Sequence, residues 1–124
     1  MADREDEIME ALAHSISFIY TMLVDICRAL PVPIGLPTDQ HIPASDAVPA
    51  IKRVTEVAYD QPMGETQTLQ LFTGCIHLLA AIDLYALCAT RYADTRAEGA
   101  GLNLLLAEET LKSLALWLVI NEAD

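Results

Sequence analysis

Two aspartates and two histidines stand where their types and spacing could do chemistry. Asp25 and Asp83 interrupt strongly apolar runs, Leu23-Val24-Asp25-Ile26 and Ile82-Asp83-Leu84. A carboxylate buried alone is costly unless it is paired or protonated. If two such acids met across a pair of helices, their pKa values would split, and the pair could share a proton or hold a cation. His14 and His77 occupy comparable heights in the same two runs, and Glu10 precedes His14 by one turn. The simpler expectation is that Asp25, Asp83, Arg28, His14 and His77 are buried polar groups satisfied by their neighbours, with Arg28 the local partner for Asp25.

Other chemistries lack their signatures. The Glu-x-x-His repeats of di-iron bundles, Cys-x-x-Cys and His-Glu-x-x-His are absent, so no metal and no cofactor is expected. Cys27, Cys75 and Cys88 all lie in apolar stretches, which raise a thiol's pKa, and they read as reduced core residues, not as nucleophiles or a disulfide framework. Gly99-Ala-Gly101 invites comparison with a phosphate-cradling loop, but no Lys follows in the required place and Asp94 and Glu98 would repel an anion. A turn between helices is the expectation there.

The elements that must position these groups are helical. Ile8, Leu12, Ile16, Ile19, Leu23, Ile26 and Leu30 step by threes and fours, which predicts an amphipathic helix over residues 3–30. Phe18 and Met22 widen its stripe. Residues 31–45 hold four of the six prolines and predict a long irregular connection, whose Val32, Ile34, Leu36 and Ile42 should pack onto the rest. Ser45 or Asp46 can cap a short helix over 46–59, with Val48, Ile51, Val54, Val57 and Ala58 inward. Residues 65–93 predict a third helix that is apolar all round and therefore central. A break over 94–101 precedes a last helix over 103–121, with Leu104, Leu111, Leu114 and Leu118 as its stripe. The whole predicts one all-α domain spanning 1–124, an antiparallel bundle of about four helices.

Charge narrows the function. The 124 residues carry 18 acids against 7 bases, a formal charge of −11, which repels nucleic acid phosphates and anionic lipid. No direct nucleic acid binding is expected. The runs 69–92 and 102–120 reach the roughly 20 residues of a membrane span, yet each charge within them would cost about 2.5 to 3.5 kcal/mol at a bilayer centre. The charged start is no signal peptide. Core helices in a soluble cytoplasmic protein are therefore the expectation.

A small non-enzymatic interaction domain follows: an inhibitor, immunity or anti-defence factor, or adaptor that meets a basic protein surface. Its expected binding residues are Asp3, Glu5, Asp6, Glu7 and Glu10 with Ile34, Leu36, His41 and Ile42 of the proline-rich connection. The excess of apolar helix surface adds a homodimer. Two other readings are a small-molecule- or metal-dependent helical enzyme with its site between the first and third helices, and a structural subunit of a larger assembly.

Overall fold

The computed structural model describes residues 3–38 and 44–122. It is an all-α bundle of four helices: α1 (Arg4–Ala29), α2 (Ala44–Val57), α3 (Glu65–Thr90) and α4 (Asp94–Glu122), with a 3-10 turn, Ala58–Asp60, after α2. Asp3 opens α1 by accepting a hydrogen bond from the Asp6 N–H at 2.9 Å. Leu30 leaves the helix in an extended conformation, as the residue before Pro31 must.

The direction of each helix follows from named contacts. Arg4 at the start of α1 reaches Asp94 at the start of α4, and Met22 and Ala115 line one groove further up. These two helices therefore run the same way. His77 meets Asn103 while Gly74 lies against Leu111, so α3 runs against both. The α3–α4 hairpin makes the most extensive contact in the molecule, α1 packs across it, and α2 covers part of α3.

The core is largely aliphatic. Ile19, Leu23, Ile51, Val54, Leu71, Leu78, Leu111 and Leu114 are fully buried, joined by Cys27 and Cys75. The expected stripes of α1, α2 and α4 point inward, except that Phe18, expected to widen that of α1, is exposed. In the connection after α1, Ile34 and Leu36 pack onto the core as expected but the Val32 side chain is exposed; the Tyr20 hydroxyl donates to the Pro37 carbonyl at 2.8 Å, and the Ile34 N–H donates to the Cys27 carbonyl at 2.9 Å.

Three expectations fail. The segment 94–101 is the first two turns of α4, not a break. Ala97 and Ala100 are buried in line with Leu104, Ala107, Leu111, Leu114 and Leu118, so the inward stripe runs unbroken through the glycines. A Cβ on Gly99 would stand 3.1 Å from Leu84 of α3, which shows how closely the hairpin approaches there. Secondly, α2 begins at Ala44, ahead of both Ser45 and Asp46. Thirdly, α3 is central on one side only: Leu71, Cys75 and Leu78 are buried, while Leu69, Ile76 and Leu87 face outward. The bundle has too few helices to wrap it.

Candidate functional site

The residues expected to be buried and polar are mostly at the surface. Asp25, Arg28, Asp83 and His14 are exposed. Asp83 escapes burial because it lies on the uncovered side of α3, and its carboxylate keeps its water. Asp25 does pair with Arg28, at 3.9 Å, but both side chains are well exposed and such pairs add little. Nor can the two aspartates meet. Because α1 and α3 are antiparallel, Asp25 lies toward the end where α3 begins and Asp83 toward the end where it finishes.

His77 alone of this group is half-buried. Its Nδ1 lies 2.9 Å from Asn103 Oδ1, and the Asn103 amide donates to the Gly99 carbonyl at 2.9 Å. That bond turns the Asn103 oxygen toward the imidazole, so Nδ1 carries the proton and the ring ties α3 to α4. His14 lines a groove on the other flank of α4, against α1. The histidines therefore share a height but not a site. No group of three metal-ligating side chains occurs among the described residues.

The thiols are sequestered. Cys27, Cys75 and Cys88 are buried and free. Burial pushes the Cys27 thiol up to about 12, and burial together with the nearby Cys27 raises Cys75 as well. Neither offers a thiolate near neutral pH. The glycines of the 99–101 segment lie inside α4, where backbone N–H groups are engaged along the helix, so that segment cradles no phosphate.

Among the expected partner-binding residues, Asp3, Glu5, Asp6, Glu7 and Glu10 are all exposed on the first turns of α1. The start of α4 brings Asp94 and Glu98 to the same end, with Arg4 bridging to Asp94 at 3.5 Å. Ile34 and Leu36 are half-buried against the core near the other end of α1, at the level of Cys27 to Tyr20. Fourteen helical positions, about 20 Å at 1.5 Å each, separate Tyr20 from Asp6. The structure thus divides the expected surface in two: the acids are presented, whereas Ile34 and Leu36 anchor the chain. His41 and Ile42 lie outside the described residues.

Sequence reasoning missed one contact and left one surface unplaced. Gln61 is buried, donating from Nε2 to the Val32 carbonyl at 2.7 Å and accepting from the Val32 N–H at 2.9 Å. It clamps the end of α2 to the end of α1, a tertiary contact that leaves no trace in spacing. The excess of apolar surface was expected; its location on an outer face of α4, where Leu102, Leu105, Leu116, Val119 and Ile120 are exposed, was not. Its signal was present as a second stripe at helical spacing.

Two shallow grooves flank that face where α1 meets α4. One is walled by Ala11, Phe18, Leu105 and Glu108, the other by Met22, Asp25, Ala115 and Val119. By length and composition, α1 and α3 are also apolar enough to cross a bilayer. The arrangement presents one acidic end and broad apolar helix faces, with no convergence of nucleophile, base and oxyanion donors among the described residues. Comparison of the chain with protein-family models, with curated proteins and with solved structures gives no match.

Proposed function

We propose that this chain is a small cytoplasmic protein-interaction domain whose acidic end docks on a basic surface of another protein, in the manner of an inhibitor, an immunity or anti-defence factor, or an adaptor. One observation carries the reading: all five acids at the start of α1 are exposed, and the parallel start of α4 adds Asp94 and Glu98 beside them. Arg4, which bridges to Asp94, and Arg91 and Arg96 beside the start of α4 leave that end with seven acids against three bases. A surface of this kind speeds encounter with a cationic partner and rejects anionic ones.

The test is retention of partners from a native-host lysate on the immobilised chain, at about 0.05 M and about 0.5 M salt, where screening lengths differ several-fold. The expected result is a basic partner, retained at low salt, released at high salt, and lost with the Glu7→Lys/Glu10→Lys variant. A circular dichroism melt confirms that this variant is folded. A specific partner held equally well by that variant and at both salt concentrations would overturn the reading.

A further inference from the structure

The outer face of α4 has an order along it as well as an apolar character. Leu102, Leu105, Leu106, Leu116, Val119 and Ile120 are each a third or more exposed, with Leu116 at 62% and Val119 at 65%. At 100° per residue the six fall within a band of about 140°. Between the two apolar clusters the same band carries Glu109, Lys112 and Ser113, all exposed. The sequence of the face is apolar, acid, base, apolar.

Such a face is complementary to itself when reversed. Set a second copy of α4 antiparallel across a two-fold axis, with Leu102 opposite Val119 of the second copy. Leu105 then meets Leu116 and Glu109 meets Lys112, each pair occurring twice. On the flank, Leu106, Ser113 and Ile120 border this seam. These are the pairings of an antiparallel heptad seam, and a two-fold contact requires this reciprocity.

We propose that the chain forms a symmetric dimer through the outer face of α4, antiparallel and in this register, with two Glu109–Lys112 ion pairs at its centre. Three observations support a second copy as the occupant. The first is charge: Glu109 has no ion-pair partner among the described residues, whereas Lys112 lies 2.7 Å from Glu108 of its own helix. In the dimer each Lys112 bridges its own Glu108 and the other chain's Glu109. The second is discrimination, because a parallel pairing would set like charges together and a slip of one heptad would set charges against leucines. The third is area: at roughly 100 Å² each, six such side chains offer roughly 600 Å² per copy, against about 800 Å² per partner in a standard interface.

The rigid hairpin adds to this. The inner face of α4 is already locked onto α3, so docking the outer face orders no backbone. Target binding uses the acids at the starts of α1 and α4, and the proposed seam begins at Leu102, one turn beyond Glu98.

Light scattering and sedimentation at about 10 µM protein test it, a concentration at which an interface of standard size is populated. The wild-type chain is expected at dimer mass. Leu105→Asp is expected at monomer mass with its helical circular dichroism retained. Glu109→Lys and Lys112→Glu alone each put like charges at the centre and weaken self-association by about tenfold or more. The double variant restores it, and a mixture of the two single variants yields the mixed dimer in preference to either self-dimer. A wild-type chain that stays monomeric overturns the proposal. So does a dimer indifferent to Leu105→Asp, or single charge variants whose losses are not rescued by combination or mixing.

Discussion

The inner and outer faces of α4 are built mainly from the same residue type at the same spacing. Inward lie Ala97, Ala100, Leu104, Ala107, Leu111, Leu114 and Leu118, all buried. Outward lie Leu102, Leu105, Leu116 and Val119, all more than half exposed. What separates them is the filler. Alanines and no charges occupy the inner stripe, so α3 can come close. A glutamate and a lysine occupy the middle of the outer stripe, where they would be ruinous inside a monomer and are tolerable only at a surface that stays wet or meets its match. Hydrophobic spacing marks a face suited to packing, and the polar residues within it restrict what can pack there.

The sharpest way to break that comparison is to truncate one leucine from each face in the monomeric Leu105→Asp background. Leu114→Ala should cost about 2–5 kcal/mol of unfolding free energy, the range for opening a cavity in a packed core. Leu116→Ala should stay within about 0.5 kcal/mol, as surface changes do. Urea titration of both variants checks it, and similar losses at the two positions would erase the distinction.

A smaller effect is expected where the hairpin is tightest. A Cβ on Gly74 would stand 2.6 Å from Leu111 Cδ2 and 2.8 Å from its Cγ, closer than real contacts allow. Gly74→Ala gains about 0.5–1 kcal/mol of helix preference and loses about 1–3 kcal/mol to overpacking, for a net loss of about 1 kcal/mol. A raised melting temperature in this variant would show that α3 and α4 have slack between them.

The last effect is chemical and is confined to high pH. The folded Cys27 thiol ionises at about 12, against 9.0 for an unperturbed thiol. Below pH 9 both states keep the proton, and the contribution to stability is whole. As pH rises from 9 toward 12 the unfolded chain ionises first, and stability falls by up to about 1.4 kcal/mol per pH unit. Comparing denaturant titrations of wild type and Cys27→Ala isolates this share from the tyrosines and lysines. Equal slopes for the two proteins would mean that Cys27 is not sequestered.

Much of the fold was legible because its inward stripes are written in leucine, isoleucine and valine. Ile8 to Leu30 marked α1, and Leu104 to Leu118 marked the second half of α4. The first half of α4 was missed because its stripe is carried by Ala97 and Ala100 beside two glycines, and close packing makes good what those glycines cost in helix propensity. The misplacement of Asp83 has a different cause. An apolar circumference reads as burial on all sides, yet sequence pattern cannot count how many neighbours are there to bury it. The expected surface came apart for a related reason: Ile34 and Leu36 are near the acids in no sense that the linear order reveals, because helix length carries them away.

The parallel course of α1 and α4 has an electrostatic consequence. Each helix carries a macrodipole worth about half a positive charge at its start. Side by side and pointing the same way, the two starts would repel each other. Asp3, Glu5, Asp6, Glu7, Asp94 and Glu98 stand on those turns, and the acidity that faces outward toward a partner is also the counterweight that lets the two helices begin together.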